Sequence, residues 1–140
     1  MKSRYYVVAA VVLIVIAAAA AAFVVKGTSR GYRDGVYEGE YRSENGGGGT
    51  KVVLKIENNA IVDCQMTATD AEGHVKDENY GKNDSEANYR LCQISVAGMR
   101  QYPGELLKTQ DIDKVDAVSG ATVTHREFQI AVRQALQKAR

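Results

Sequence analysis

The chain of 140 residues is long enough for one small domain, and its 18 Lys and Arg residues nearly balance 17 Asp and Glu residues. The formal net charge of +1, without a basic stripe interleaved with aromatic residues, argues against nucleic acid as a partner. All of the acidic residues follow residue 26, so the part of the chain after that position is slightly acidic.

The first predicted element is a membrane segment. Residues 5–25 are an unbroken run of uncharged aliphatic and aromatic residues. At about 1.5 Å per residue, a helix of this length is about 31 Å long, close to the thickness of the bilayer hydrocarbon. A cleaved secretory signal is the alternative, because alanines at 17–22 supply the small residues of a cut site. Length favours a retained anchor. Residues 1–26 are thus an anchor or signal, residues 27–31 a tether and residues 32–140 a separate domain.

Period-2 alternation predicts two strands at the start of this domain. Two alternating sets are each expected to share one face of a strand: Tyr37, Gly39 and Tyr41, then Val52, Leu54 and Ile56. The glycines at 46–49 lie between them. They admit two interpretations, a plain hairpin loop or backbone N–H groups that approach a phosphate. The hairpin loop is favoured because the run lacks the spacing of a phosphate-binding fingerprint.

A third strand is expected at residues 60–68. Asn58 and Asn59 predict a two-residue turn before it, because asparagine tolerates positive φ. The side chains expected to face inward are Val62, Cys64 and Met66. Residues 69–83 are polar and predict a long turn or an irregular loop.

Two helical segments are expected after this loop. Asp84 or Ser85 is expected to cap the first, which must end before Pro103. Its predicted buried face consists of Tyr89, Cys92, Val96 and Met99. A short segment around residues 106–107 follows, and residues 111–118 are expected to be extended and to pair with the sheet edge. The order of elements predicts an α+β fold with helices packed on one face of a small antiparallel sheet.

The last predicted helix begins at His125. Thr124 and Glu127 have the Thr-x-x-Glu spacing of a capping box, in which the hydroxyl and the carboxylate satisfy N–H groups of the first turn. Apolar residues then recur with the helical period: Phe128, Ala131, Val132, Ala135, Leu136 and Ala139. Small residues precede this helix and leave the hydroxyl of Thr122 unshielded, where the N-terminus of a helix favours an anion.

Residues 116–122 read Asp-Ala-Val-Ser-Gly-Ala-Thr and match the pattern Asp-x-x-Ser-Gly-Ala-Thr at every specified position. This pattern resembles the attachment site of small FMN-binding domains that lie outside the bacterial cytoplasm. They are related to the flavin-carrying subunits of sodium-pumping NADH:quinone reductases and of related electron-transport complexes. In that family a flavin transferase cleaves FAD and leaves FMN joined to the last threonine by a phosphoester bond. The resemblance therefore implies FMN on Thr122. The other cofactor-binding residues that we expect are Asp116, Ser119, Gly120, Ala121, Thr124 and His125.

The likeness to this family covers nearly all of residues 31–140. The segments that carry it, besides the motif, are residues 32–39, 52–62, 70–80 and 110–115. The chain differs from the larger relatives in one respect: it lacks the Glu-Thr-Pro-Gly segment that they place beside the flavin. Three amphipathic aromatic residues are able to stack on a flavin: Tyr80, Tyr89 and Tyr102. The helical phase of Tyr89 favours the core instead.

The remaining titratable residues give weaker signals. His74 is expected to be solvated, and His125 is either solvated or in contact with the flavin or its phosphate. Cys64 and Cys92 both point towards the predicted core, so they either form a disulfide or pack as two thiols. Neither belongs to a Cys-x-x-Cys motif, so haem, iron–sulfur clusters and zinc are unsupported and no metal site is predicted.

Sequence and resemblance together predict a membrane-anchored, extracytoplasmic electron carrier or redox subunit rather than a free-standing catalyst. The expected partners are a flavin transferase that uses FAD, membrane or extracytoplasmic redox proteins and, through residues 5–25, membrane lipid. Positively charged residues stand on both sides of the apolar run 5–25, so their distribution does not decide the orientation of this segment in the membrane. The predicted orientation therefore depends on the family resemblance and on the short N-terminal flank. Two alternatives stay open: a flavin-dependent reductase acting on its own small substrate, and a flavin-free interaction module at the cell surface.

Overall fold

The computed structural model describes residues 31–44 and 46–140. The predicted anchor or signal at 1–26 and the tether up to residue 30 lie outside the described residues. No helix within the described ranges is both long enough and apolar enough to cross a membrane. The elements are β1 (Gly35–Arg42), β2 (Gly49–Glu57), β3 (Ala60–Thr69), α1 (Glu86–Met99), α2 (Tyr102–Thr109), a 3₁₀ turn (Ile112–Lys114) and α3 (Thr122–Lys138).

The strands form one antiparallel sheet in the order β1-β2-β3. Asn58 and Asn59 turn the chain between β2 and β3 with φ values of 50° and 64°, which confirms the predicted two-residue turn. The alternation predicted for β2 is also confirmed, because its inward side chains are fully buried: Val52, Leu54 and Ile56. The sheet therefore presents one apolar face to the rest of the domain.

A bulge in β3 moves one predicted core residue to the outside. Ile56 pairs with Ile61, whereas the preceding residue Lys55 pairs with Asp63, so Val62 is an extra residue in β3. An inserted residue shifts the alternation of side chains by one position. Ile61 is consequently buried and Val62 is 44% exposed, and the prediction that Val62 faces inward is wrong. The predicted inward positions after the bulge are buried or half-buried: Cys64 and Met66.

The apolar face of the sheet is covered by α3, whose contacts are with β1 and β2, and by α2, which contacts β3. All six residues predicted for the apolar face of this helix are buried, the last of them directly after the end of α3: Phe128, Ala131, Val132, Ala135, Leu136 and Ala139. The approach is close at Gly39, where a Cβ atom would lie 1.8 Å from the carbonyl oxygen of Ala131. The α+β fold with helices on one face of the sheet is confirmed for the described residues.

Two local expectations between β3 and α3 have different outcomes. Ser85 caps α1, because its hydroxyl accepts from the N–H of Asn88, as predicted. The prediction that residues 111–118 pair with the sheet edge is wrong, since the described sheet has three strands. The side chain of Asp111 accepts from the N–H of Asp113 and starts a 3₁₀ turn instead.

Candidate functional site

The loop before α3 is held by the hydroxyl group of Tyr102. This tyrosine begins α2 and is fully buried. Its oxygen accepts from the N–H of Val118 at 3.1 Å, and its O–H donates to the carbonyl oxygen of Ala121 at 3.0 Å. Burial raises the pKa of Tyr102 above the ordinary 10.0, although the hydrogen bond from Val118 acts to lower it. The phenol therefore stays protonated and fixes the backbone just before Thr122.

Two glycines allow the same loop to lie directly against α1. Gly120 has a φ of +84°, a left-handed conformation that favours glycine, and a Cβ atom there would lie 2.9 Å from a methyl carbon of Ile94. Gly98 lies one helical turn further along α1, and a Cβ atom there would lie 2.9 Å from the Cβ of Ala121. The motif loop is thus packed between α1 and Tyr102.

α3 begins at Thr122, three residues earlier than predicted, and the predicted capping box is wrong. Ala121 occupies the N-cap position and offers no side-chain hydrogen bond. Thr124 is 3% exposed, and the carboxylate of Glu127 accepts from the hydroxyl of Thr50 on β2 at 2.7 Å. Contact with the sheet therefore turns Glu127 inward, whereas a capping box would turn it back towards the helix N-terminus.

The loop brings one hydroxyl-bearing residue to the surface at the start of α3. Thr122 is exposed, and Val123 beside it is 74% exposed. The other predicted site residues divide by burial: Asp116, Ser119 and Gly120 are exposed, Ala121 and Thr124 are buried, and His125 is half-buried.

The first turn of α3 fits a phosphate group. It contains no acidic residue, and its N-cap residue supplies no side-chain acceptor. The first N–H groups of an α-helix lack partners within the helix, and the helix dipole adds partial positive charge at this end. A phosphoester on Thr122 would lie beside these groups, which favour an anion. The residues present therefore fit FMN bound through its phosphate.

His125 is turned into the protein by two contacts. Its Nε2 lies 2.6 Å from the carbonyl oxygen of Val115, so the Nε2–H donates to that oxygen. Its ring centroid lies 5.2 Å from that of Tyr102 at an interplanar angle of 59°. Both contacts link α3 to the residues that hold the motif loop. A contact of His125 with the cofactor stays a prediction.

The candidate stacking tyrosines differ in their access to solvent. Tyr102 is fully buried against Phe128 and offers no open ring face. Tyr89 was expected in the core but is only half-buried. Its hydroxyl donates to the carbonyl oxygen of Glu78. Tyr80 is also half-buried and packs at the edge of the core. The structure thus reassigns Tyr102 from a stacking candidate to a support of the loop, which no local sequence signal marks.

The loop after β3 forms a separate polar region. With the start of α1 it lines an open cavity of about 620 Å³, and none of residues 116–125 lines this cavity. Asp70, Glu72 and His74 bring possible ligand atoms within 4.8 Å of one another, in an Asp-x-Glu-x-His spacing that matches none of the cysteine motifs considered above. Desolvation acts to raise the pKa of Asp70, but hydrogen bonds from His74 and Glu72 outweigh it and lower that pKa. His74 is exposed, as predicted.

The two cysteines are free thiols in the structure. Cys64 is 7% exposed on β3, and burial raises the pKa of its thiol to about 12. Cys92 is half-buried on α1 and lines the polar cavity beside Gly81. Of the two interpretations, packed thiols and a disulfide, the structure shows the first.

Comparison with known proteins gives one family and one shared fold. Residues 46–137 match the model of the FMN-binding domain family, and this range contains every predicted site residue. A crystal structure of the CPE2226 protein from Clostridium perfringens is similar, with a TM-score of 0.57 and 21% identity over 77% of this chain and 88% of that chain. A solution structure from Clostridium thermocellum has a TM-score of 0.47 and 21% identity over 76% of this chain and 92% of that one.

The search of curated proteins found no match. At 21% identity, the Clostridium perfringens structure establishes a common fold and no more. The family match is the stronger result, because it spans well over half of the chain, from the loop before β2 to the end of α3. The chain belongs to the FMN-binding domain family.

Proposed function

We propose that this protein is a membrane-anchored, extracytoplasmic electron-transfer flavoprotein that carries FMN in a phosphoester bond to Thr122. Membership of the FMN-binding domain family supports the binding of FMN by this chain. The observation that carries the attachment is the exposure of Thr122 at the first position of α3, while Ala121 before it and Thr124 after it are buried. A transferase needs that access to the hydroxyl oxygen.

Attachment requires a balanced exchange of bonds at Thr122. Its hydroxyl oxygen forms a bond to the phosphorus of the FMN half of FAD, the pyrophosphate bond breaks, AMP leaves and the hydroxyl proton is released. The chain gains one FMN less one water. The exposed neighbours Ser119 and Gly120 leave this approach open, and Asp116 is an exposed group at the start of the motif.

The residues around Thr122 hold the attachment point in place. Tyr102 fixes the loop by two hydrogen bonds, and His125 fixes the first turn of α3 by its bond to Val115. The N–H groups of that turn stabilise the phosphoester charge. FMN supplies reversible one- and two-electron transfer, while the protein supplies position and access. A surface location suits exchange with a docking partner.

Membrane anchoring and the extracytoplasmic location are supported by the apolar run at residues 5–25 and by the family resemblance. The experiment is N-terminal sequencing of the protein from a membrane fraction. A retained residue 1 or 2 in that fraction supports an anchor. A mature protein that begins after residues 17–22 and is found free of membranes would show a cleaved signal instead.

The attachment is tested by intact mass spectrometry of chains produced with and without an active flavin transferase. We expect a gain of one FMN less one water only when the transferase is present, and we expect Thr122→Ala to abolish it. Thr67→Ala is the matched control, because Thr67 is an exposed threonine on β3. An unchanged mass with an active transferase would support a flavin-free interaction module.

A further inference from the structure

Three exposed apolar side chains lie on α1 and α3, the two helices that adjoin the motif loop. Leu91 and Ile94 on α1 are 66% and 56% exposed, and Val123 on α3 is 74% exposed. We call these three residues the apolar platform. They are half of the large hydrophobic side chains exposed among the described residues, the others being Val36, Val62 and Val75. Single exposed apolar residues need no explanation, but a group beside a functional residue indicates a contact surface.

The platform is continuous with the loop that carries Thr122. Leu91, Ile94 and Gly98 stand at intervals of three and four residues, so they lie along one face of α1. The loop covers this face at Gly98 through Ala121, and it reaches Ile94 through Gly120. Beyond Ile94 the face is uncovered, and Leu91 is the next residue on it.

We infer that the isoalloxazine ring of the FMN carried by Thr122 lies across Leu91 and Ile94, with Val123 at its edge. The inference rests on the proposed attachment at Thr122. A covalent tether holds the ring at high effective concentration next to this surface. Removal of apolar ring and side-chain surface from water then favours contact. The buried ring of Tyr102 and the polar cavity, which no motif residue lines, offer no comparable surface.

This arrangement leaves the two faces of the ring in different surroundings. One face is covered by aliphatic side chains, and the other remains open to a redox partner. Contact with aliphatic groups excludes water from one side of the ring, and loss of water disfavours any charged form of a bound group. Leu91 and Ile94 would thereby lower the reduction potential of the flavin by disfavouring its anionic reduced state.

The experiment uses the flavinylated full chain and the variants Leu91→Ser, Ile94→Ser and Val36→Ser. Val36 is the matched control, because it is 62% exposed on β1, away from the motif. Intact mass first confirms that each variant carries FMN. Iodide quenching of flavin fluorescence then measures access to the ring. We expect the quenching constant to rise towards that of free FMN in the two α1 variants and to stay at the wild-type value in Val36→Ser.

The position of the ring can also be measured directly in the wild-type protein, without any amino-acid substitution. In nuclear Overhauser spectra of the flavinylated protein, we expect cross-peaks from the flavin ring methyl protons to the methyl groups of Leu91 and Ile94. Absence of these cross-peaks, with quenching equal in all variants, would overturn the ring placement and leave the platform as a surface for a protein partner. Absence of the FMN mass in the wild-type chain would instead overturn the attachment itself, so the two failures are distinguishable.

Discussion

The hydroxyl of Tyr102 donates a hydrogen bond of 3.0 Å to the carbonyl oxygen of Ala121, the residue directly before the candidate attachment point. The two residues are 19 positions apart in the sequence, and both are buried. The same hydroxyl accepts from the N–H of Val118. One side chain of α2 thereby sets the shape of the loop that presents Thr122.

Replacement of this hydroxyl should weaken both stability and attachment. We expect Tyr102→Phe to lower the free energy of unfolding by about 1–2 kcal/mol, because the N–H of Val118 loses its partner. Flavinylation by a fixed amount of transferase should slow, since the loop is less ordered. Tyr37→Phe removes only exposed hydrogen bonds to the carbonyl oxygens of Arg33 and Asp34 and is the control. Equal urea midpoints and equal mass-gain rates for the two variants would contradict the role given to Tyr102.

A structural role of His125 and a contact of His125 with the flavin can be distinguished by experiment. His125→Ala removes the bond to Val115 and the ring contact with Tyr102, so unfolding should require about 1–2 kcal/mol less. His74→Ala, at an exposed position, should leave stability almost unchanged. The FMN mass gain and the visible flavin spectrum should persist in both variants. A changed flavin spectrum in His125→Ala at undiminished thermal stability would show instead that the imidazole contacts the flavin.

The packing of α3 on the sheet depends on the absence of a side chain at Gly39. A Cβ atom there would overlap the carbonyl oxygen of Ala131 and lie 2.9 Å from the N of Ala135. We expect Gly39→Ala to cost about 3 kcal/mol or more. Gly104→Ala is the control, because Gly104 lies in α2 and the added methyl would meet no atom within 4 Å apart from its chain neighbours and the backbone of its own helix. That variant should gain about 0.5 kcal/mol. Similar denaturation midpoints for both would refute the close approach.

Local patterns predicted the parts of the fold that local chemistry decides. The turn at Asn58 and Asn59 follows from the tolerance of asparagine for positive φ, and the buried set of β2 follows from strict alternation. Val62 was assigned to the wrong face because a bulge inserts one residue, and nothing in the alternation around it marks the insertion.

The errors at the site have a common cause in contacts between distant residues. Glu127 has the spacing of a capping box, but it bonds Thr50, which lies 77 positions away. Tyr102 has the character of a ring that stacks on a flavin, but burial and two backbone bonds make it a support. The motif alone identifies Thr122, whereas the exposure of Thr122 can be seen only in the folded structure.

The two cysteines should differ sharply in reactivity. Cys64 is buried with a pKa raised to about 12, so its thiolate is scarce at pH 8. Cys92 is half-buried at the rim of the polar cavity. We expect iodoacetamide to label Cys92 first in the folded protein and Cys64 only after denaturation, as peptide mapping would show. If both cysteines resist labelling in denaturant until a reductant is added, they are paired and the assignment of free thiols is wrong.

Tandem mass spectrometry of the tryptic peptide 115–126, from the chain produced with an active flavin transferase, locates the flavin on a single side chain. This peptide contains three hydroxyl-bearing residues, Ser119, Thr122 and Thr124, of which Thr124 is buried. We expect a mass gain of one FMN less one water, with fragment ions that assign this gain to Thr122. An unmodified peptide, or the same gain assigned to Ser119 or Thr124, would rule out attachment at Thr122.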